Sequence, residues 1–182
     1  MNPIFRYVSP LGPLRLEAGE TGLVGLGFAK EEIQHDPRDE GADSSAQKEV
    51  FRLTTLWLDD YFAGKMPQNL PPLQLIGTPF SKMVWEQLLA IPYGETITYG
   101  QLAALVAQKL GKAAMSAQAI GGAVGRNPVC IIVPCHRVVG ADGNLTGFRD
   151  GIENKIALLK LEGHDMRRFS MPKKRVPSKY LS

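Results

Sequence analysis

Hydrophobic residues follow one period over the first thirty residues of this chain and another from residue 48 onward. Ile4 to Val8, Leu14 to Ala18 and Leu23 to Phe28 are short apolar runs, separated by Ser9-Pro10-Leu11-Gly12 and Gly19-Glu20-Thr21-Gly22. Turn residues at that spacing predict an antiparallel meander. Val50, Leu53, Trp57 and Tyr61, with Leu56 alongside, then fall on one helical face, and Gly64 follows as a stop. Strands first and helices after predict an α+β fold in two parts. The division read from the chain is an N-terminal sheet with a helix over 1–77, a mostly helical part over 78–165, and a basic tail over 166–182.

Residues 31–47 are polar and acidic and read as a surface loop, and Gly64 to Gly77, with Pro67, Pro71 and Pro72, reads as the link between the two parts. Thr78 then caps a helix with Pro79 in its first position, and Val84, Leu88 and Leu89 supply its buried face. Pro92-Tyr93-Gly94-Glu95 makes a turn. Thr98 and Gln101 have the spacing of a capping box, which starts a helix from Tyr99 to about Gln108. A turn around Gly111 leads to Ser116, the cap of a helix ending near Gly125, and the pair matches a helix-turn-helix. That second helix is nearly bald: Ala117, Ala119, Gly121, Gly122, Ala123 and Gly125. Each interior glycine costs ~1 kcal/mol against alanine. Tight helix packing and entry into a nucleic-acid groove explain this equally well.

Charge is divided unevenly. Residues 1–80 hold seven Lys and Arg against eleven Asp and Glu, and residues 81–182 hold fourteen against seven. A basic second half fits a polyanionic partner, and it also fits an ordinary solvated surface. No apolar run approaches the ~20 residues that cross a bilayer, and the start lacks an apolar leader, so a cytosolic setting is expected. The tail basics from Arg167 to Lys179 read as solvated and mobile, with phosphate attraction as a secondary role. His35 and His164 sit in polar loop contexts and are given no role.

The chain has only two cysteines, Cys130 and Cys135, in no zinc-ligand spacing. Asn127-Pro128 ends the bald helix, and Val129 to Val133 reads as a short buried strand leading to Pro134-Cys135-His136-Arg137-Val138. A thiolate is the nucleophilic form of cysteine, and a neighbouring base raises its share at neutral pH. Adjacent residues of an extended segment point to opposite faces, so the dipeptide alone makes no dyad, and a buried structural thiol is the plainer reading.

Pro134-Cys135-His136-Arg137-Val138 resembles the active-site signature of the O6-alkylguanine-DNA alkyltransferases. The likeness takes in Thr78-Pro79-Phe80, Val84-Trp85, Pro92 to Thr96, Tyr99, Leu102-Ala103, Ala119-Ile120-Gly121 and Asn127-Pro128. It continues through Gly143, Leu145, Gly147-Phe148, Lys155 and Leu158-Leu159 to Glu162-Gly163. The N-terminal meander with Leu58, Tyr61-Phe62 and Gly64 resembles the family's smaller, ribonuclease-H-like domain.

Some members hold a zinc in the N-terminal domain through Cys and His, and residues 1–80 have no cysteine, so no metal is expected here. The resemblance implies a monomer without cofactor. It would bind duplex DNA through the minor groove, flip an O6-alkylguanine and keep the alkyl group irreversibly on Cys135. O4-alkylthymine stays open as a second lesion. His136 would act as base through a water, and Glu162 would hold its other nitrogen. Asn127 would brace the turn before the cysteine. Tyr99 would donate to the base, the Cys135 and Val138 carbonyls would read its amino edge, the Arg149 amide would face O6, and Phe148 would stack. Ser116, Gln118, Ala119, Gly122 and Arg126 would lie along the DNA.

Gln118 stands where many members carry an arginine that fills the extruded base's space. Lys109 and Lys112 lie in a longer connection than many members have. Outside the family, Glu162 reads as a solvated helix-end charge, since a carboxylate there opposes the helix dipole. Cys130 aligns at the pocket entrance and is read as packing. Three other readings compete: a lesion sensor that recruits repair without chemistry, a regulator using the helix-turn-helix, and a Cys-His hydrolase.

Overall fold

A computed structural model describes residues 2–29 and 44–172. Most of the acidic loop, with His35, and the basic run from Lys173 to Lys179 lie outside the described residues. The chain is α+β and divides into two compact units, Met1–Gly77 with Pro128–Ile132, and Thr78–Asn127 with Val133–Ser182.

In the first unit, β1 (Ile4–Ser9), β2 (Gly12–Ala18) and β3 (Leu23–Phe28) form an antiparallel sheet in that order. Alternation buries Leu14, Leu16 and Ala18 of β2 on one face. Helix α1 (Ser45–Phe62) starts earlier than the apolar period suggests, because Ser44 caps it by accepting from Gln47 N at 3.2 Å. Its buried face is Val50, Phe51, Thr54, Trp57, Leu58 and Tyr61. The stripe is rotated from the expected one, and Leu56 is 51% exposed. Thr54 is tolerated inside because its hydroxyl donates to Val50 O at 2.7 Å.

The expected strand at Val129 to Val133 is not one. Leu26 N donates to Pro128 O and Cys130 N to Leu26 O, which makes a single parallel bridge between Leu26 and Val129. The chain then turns tightly. Ile131 takes φ +71°, Ile132 N donates to Cys130 O, and Cys135 N donates to Val133 O, both at 2.8 Å. A β-branched residue in the left-handed region costs about 1–3 kcal/mol and persists where its surroundings over-determine it.

The second unit is mainly helical. In α2 (Pro79–Leu89) Thr78 caps and Pro79 stands first, as expected. Val84, Trp85 and Leu88 are buried, and Trp85 Nε1 donates to Ala123 O at 2.9 Å. Strand β4 (Ile97–Thr98) pairs in parallel with β5 (Val138–Val139). The Thr98–Gln101 capping box starts α3 (Tyr99–Lys109), and Ser116 caps α4 (Ala117–Gly125). Helix α5 (Ile152–Leu161) follows. At the start of the tail Arg167 and Arg168 are exposed, as expected, while the apolar Met166, Phe169 and Met171 pack against Val139, Leu145, Ile156 and Leu159. His164 lies edge-on to Phe169 at 5.6 Å, so its surroundings are not the expected polar loop. Among the described residues no helix is long and apolar enough to cross a membrane.

Candidate active site

Asn127 follows the end of α4 and donates from Nδ2 to Val133 O at 2.8 Å, closing the turn that delivers the cysteine. Beyond Pro134, Cys135–Arg137 form one 3₁₀ turn. Successive side chains of such a turn point about 120° apart, not to opposite faces as in a strand. Cys135 is 5% exposed and His136 fully buried. Neither cysteine is in a disulfide.

Glu162 closes the C-terminal end of α5 and is buried, not solvated. Its Oε1 lies 2.6 Å from His136 Nε2 and 2.9 Å from Arg137 Nη2. Its Oε2 lies 2.9 Å from Arg137 Nε and accepts from Gly94 N at 3.3 Å. Those partners, with Arg137 supplying the charge, replace the water a helix-end carboxylate would otherwise need. Burial works to raise the Glu162 carboxyl, but the hydrogen bonds from His136 and Arg137 and the Arg137 charge outweigh it and hold the group well below the usual carboxylate range. Burial pushes His136 down, against the pull of Glu162, and leaves a neutral ring. Arg137 is thus the fixed charge that keeps Glu162 ionised. His136 Nδ1 is buried and has no hydrogen-bond partner among the described residues.

Lys155 is fully buried on α5, and its Nζ donates to Val138 O at 2.6 Å and Thr146 O at 2.8 Å. Burial lowers its pKa to about 8, and the charge of Cys135 opposes that shift. Burial and the Cys135 charge push the Tyr99 phenol up to about 12. Its hydroxyl reaches the carbonyls of Thr146 and Gly147 at 3.5 and 3.4 Å. Gly147 has to be glycine here: its φ is +69° and a Cβ would stand 2.7 Å from that hydroxyl. Phe148 is half-buried, and Arg149 is exposed, with Nε 3.6 Å from Asp150 Oδ1.

His136 and Glu162 are therefore linked directly, Val138 N donates to Cys135 O, Tyr99 is coupled to Cys135 by charge, and Asn127 is tied to the turn only through Val133 O. Phe148 and Arg149 adjoin them through the Gly147 loop. Arg137 and Lys155 enter the sequence reading only as parts of motifs, although a basic residue inside an apolar signature is the available signal. Among the described residues, no group of three His, Cys, Asp or Glu could hold a metal.

Ser116, Gln118, Ala119, Gly122 and Arg126 all belong to α4 and its caps. The Ser116 hydroxyl accepts from Ala119 N at 3.3 Å, and Gln118 and Arg126 are exposed. A Cβ at Gly121 or Gly125 would meet nothing within 4 Å, and one at Gly122 would meet only the Arg126 guanidinium, 3.2 Å away. Internal packing therefore does not explain the bare surface.

Two family models match the chain. The DNA binding domain of 6-O-methylguanine DNA methyltransferase matches residues 79–164, and its ribonuclease-like domain matches residues 6–75. The methylated-DNA–protein-cysteine methyltransferase of Methanosarcina acetivorans is 43% identical over 157 residues, 86% of this chain and 96% of its own. The protein of that name from Mycobacterium tuberculosis is 43% identical over 158 residues, 85% of this chain and 88% of its own. The crystal structure of Mycobacterium tuberculosis O6-methylguanine methyltransferase covers 98% of this chain and 96% of its own, at 38% identity and a TM-score of 0.69. A crystal structure of Mycobacterium tuberculosis OGT in complex with DNA gives a TM-score of 0.70 at 38% identity, covering 91% of this chain and 94% of its own. The chain belongs to the 6-O-methylguanine DNA methyltransferase family.

Proposed function

We propose that this protein repairs O6-alkylguanine in duplex DNA by moving the alkyl group, once and irreversibly, onto Cys135. The carrying observation is the buried series of Cys135, His136 and Glu162, with His136 Nε2 at 2.6 Å from the carboxylate and Nδ1 without a hydrogen-bond partner among the described residues. The thiol proton passes to His136 Nδ1 through a water, and Sγ attacks the alkyl carbon. The bond from that carbon to O6 breaks, its electron pair stays on guanine, and the proton taken from the thiol restores the neutral base. The thioether has no route back to a thiol, so each molecule acts once.

Tyr99, with its pKa raised to about 12, remains a hydrogen-bond donor to the base at neutral pH. The Cys135 and Val138 carbonyls take the amino edge, the Arg149 amide faces O6, and Phe148 stacks. Lys155 already donates to Val138 O, and a carbonyl has a second lone pair for the base. Helix α4 enters the minor groove, where Gly121 and Gly125 let the backbone come close and Gln118 fills the space of the extruded base. Arg126, Ser116, Ala119 and Gly122 lie along the strand. The protein works as a monomer in the cytoplasm, where thiols stay reduced.

The test is stoichiometry: incubation with excess duplex carrying one O6-methylguanine should restore one guanine per protein and then stop. Cys135→Ala should restore none while still binding the duplex. Continued turnover, or repair by Cys135→Ala, would refute the assignment.

A further inference from the structure

We infer that Arg137 sets the tautomer of His136, acting through Glu162, and is a positioning residue for the transfer step. The inference rests on the reading of Cys135 as the alkyl acceptor. An ionised carboxylate offers about four acceptor positions and no donor. At Glu162 three fixed donors meet them, Arg137 Nη2 and Nε at 2.9 Å each and Gly94 N at 3.3 Å, and His136 Nε2 lies against Oε1 at 2.6 Å. Neither the guanidinium nor the amide gives up its proton. With the guanidinium on both of its oxygens the carboxyl is held ionised, so it accepts in the remaining contact and His136 Nε2 carries the hydrogen in their shared bond. That leaves Nδ1 as a bare lone pair, buried and without a hydrogen-bond partner among the described residues, able to take the thiol proton.

Arg137 is itself fixed. Its Nη1 donates to Ile91 O at 2.7 Å, and its guanidinium carbon lies 5.7 Å from the centre of the Tyr93 ring. Lys155 is the other cation that acts on His136, but its bonds go to the Val138 and Thr146 carbonyls rather than to Glu162. Without the guanidinium, the buried Glu162 has two outcomes. It takes a proton and donates to Nε2, which moves the ring hydrogen to Nδ1, or it draws an extra proton onto the ring. Both remove the lone pair at Nδ1.

Nitrogen-15 NMR of His136 distinguishes a protonated from a bare ring nitrogen. It should be read on wild type, Arg137→Gln and Arg137→Lys, beside single-turnover methyl transfer and affinity for the lesion duplex. Wild type should show Nε2–H with bare Nδ1. Arg137→Gln should carry a proton on Nδ1 and transfer at least about 100-fold more slowly, the scale of a lost general base, with duplex affinity unchanged. Arg137→Lys, which keeps the charge without the fork, should keep Nε2–H and transfer faster than Arg137→Gln. A wild-type Nδ1–H ring, or Arg137→Gln transferring at the wild-type rate, would overturn the inference. Should Arg137→Gln fail to fold, the wild-type tautomer and an Arg137→Lys ring that loses Nε2–H still decide against it. A wild type with Nε2–H that moves no methyl group would sink the reading of Cys135 instead, and would leave the tautomer assignment supported.

Discussion

The Cys135 turn and helix α4 use their residues in opposite ways. Around Cys135 nearly every polar group is buried and held: Asn127 to Val133, Lys155 to two carbonyls, Glu162 to four donors. One residue there, Ile131, even sits in a strained left-handed conformation. Along α4 side chains are withheld, and Gly121 and Gly125 face open space. Chemistry on one atom needs a geometry fixed from several sides. A surface that receives a long, regular partner needs close backbone approach and little else.

Glu162→Gln should break the first region most severely. It leaves Arg137 buried without its charge partner, a loss on the scale of 3–5 kcal/mol, about what breaking a buried pair costs. Denaturant unfolding should show that loss, and single-turnover assays should show transfer slowed by about 100-fold or more. A variant as stable as wild type would mean the buried network is not what holds the turn.

The next effect is a pH dependence. Lys155 has its pKa lowered from 10.5 to about 8. Between those values the unfolded chain binds more protons than the folded one, so this group makes stability rise with pH across that window. The cost of burying the charge is fully present below pH 8 and is relieved toward 10.5. Tyr99, raised to about 12, opposes the trend only above pH 10. Unfolding free energies from pH 8 to 10 should therefore rise in wild type by up to about 3 kcal/mol, since one proton bound more tightly by the unfolded chain is worth about 1.4 kcal/mol for each pH step. The curve should stay flatter in Lys155→Met. Parallel curves would place the charge elsewhere.

Gly121→Ala separates the two regions. A Cβ there meets nothing within 4 Å, so the helix should gain about 1 kcal/mol, or about 2–4 °C in Tm. Affinity for duplex should fall as the added methyl holds the backbone off. A gain in stability with no loss in binding would show that α4 is not approached closely. The smallest effect is expected from Gln118→Arg, which should steepen the salt dependence of duplex binding by about one unit of slope. An unchanged slope would mean that a charge at residue 118 is not brought against the duplex.

Much of this is legible in the chain because its causes are local. The caps at Thr78, Thr98 and Ser116 bond to backbone three residues on, so spacing alone reveals them. What is not legible depends on distant partners. Val129 to Val133 has the composition of a strand, yet among the described residues it pairs through one bridge to Leu26, and the rest is a turn at Ile131. The face of α1 is set by what the sheet offers, which buries Phe51 and Leu58 and leaves Leu56 out. Glu162 looks solvated until the chain brings Arg137 and His136, 25 and 26 residues earlier, against it.

The most direct test of the central claim is intact-protein mass spectrometry with peptide mapping, after incubation with a duplex carrying one O6-methylguanine. The account predicts a gain of one methyl group, located on Cys135 and absent from Cys135→Ala. A methyl group on another residue, or tight binding of the lesion with no gain in mass, would contradict it.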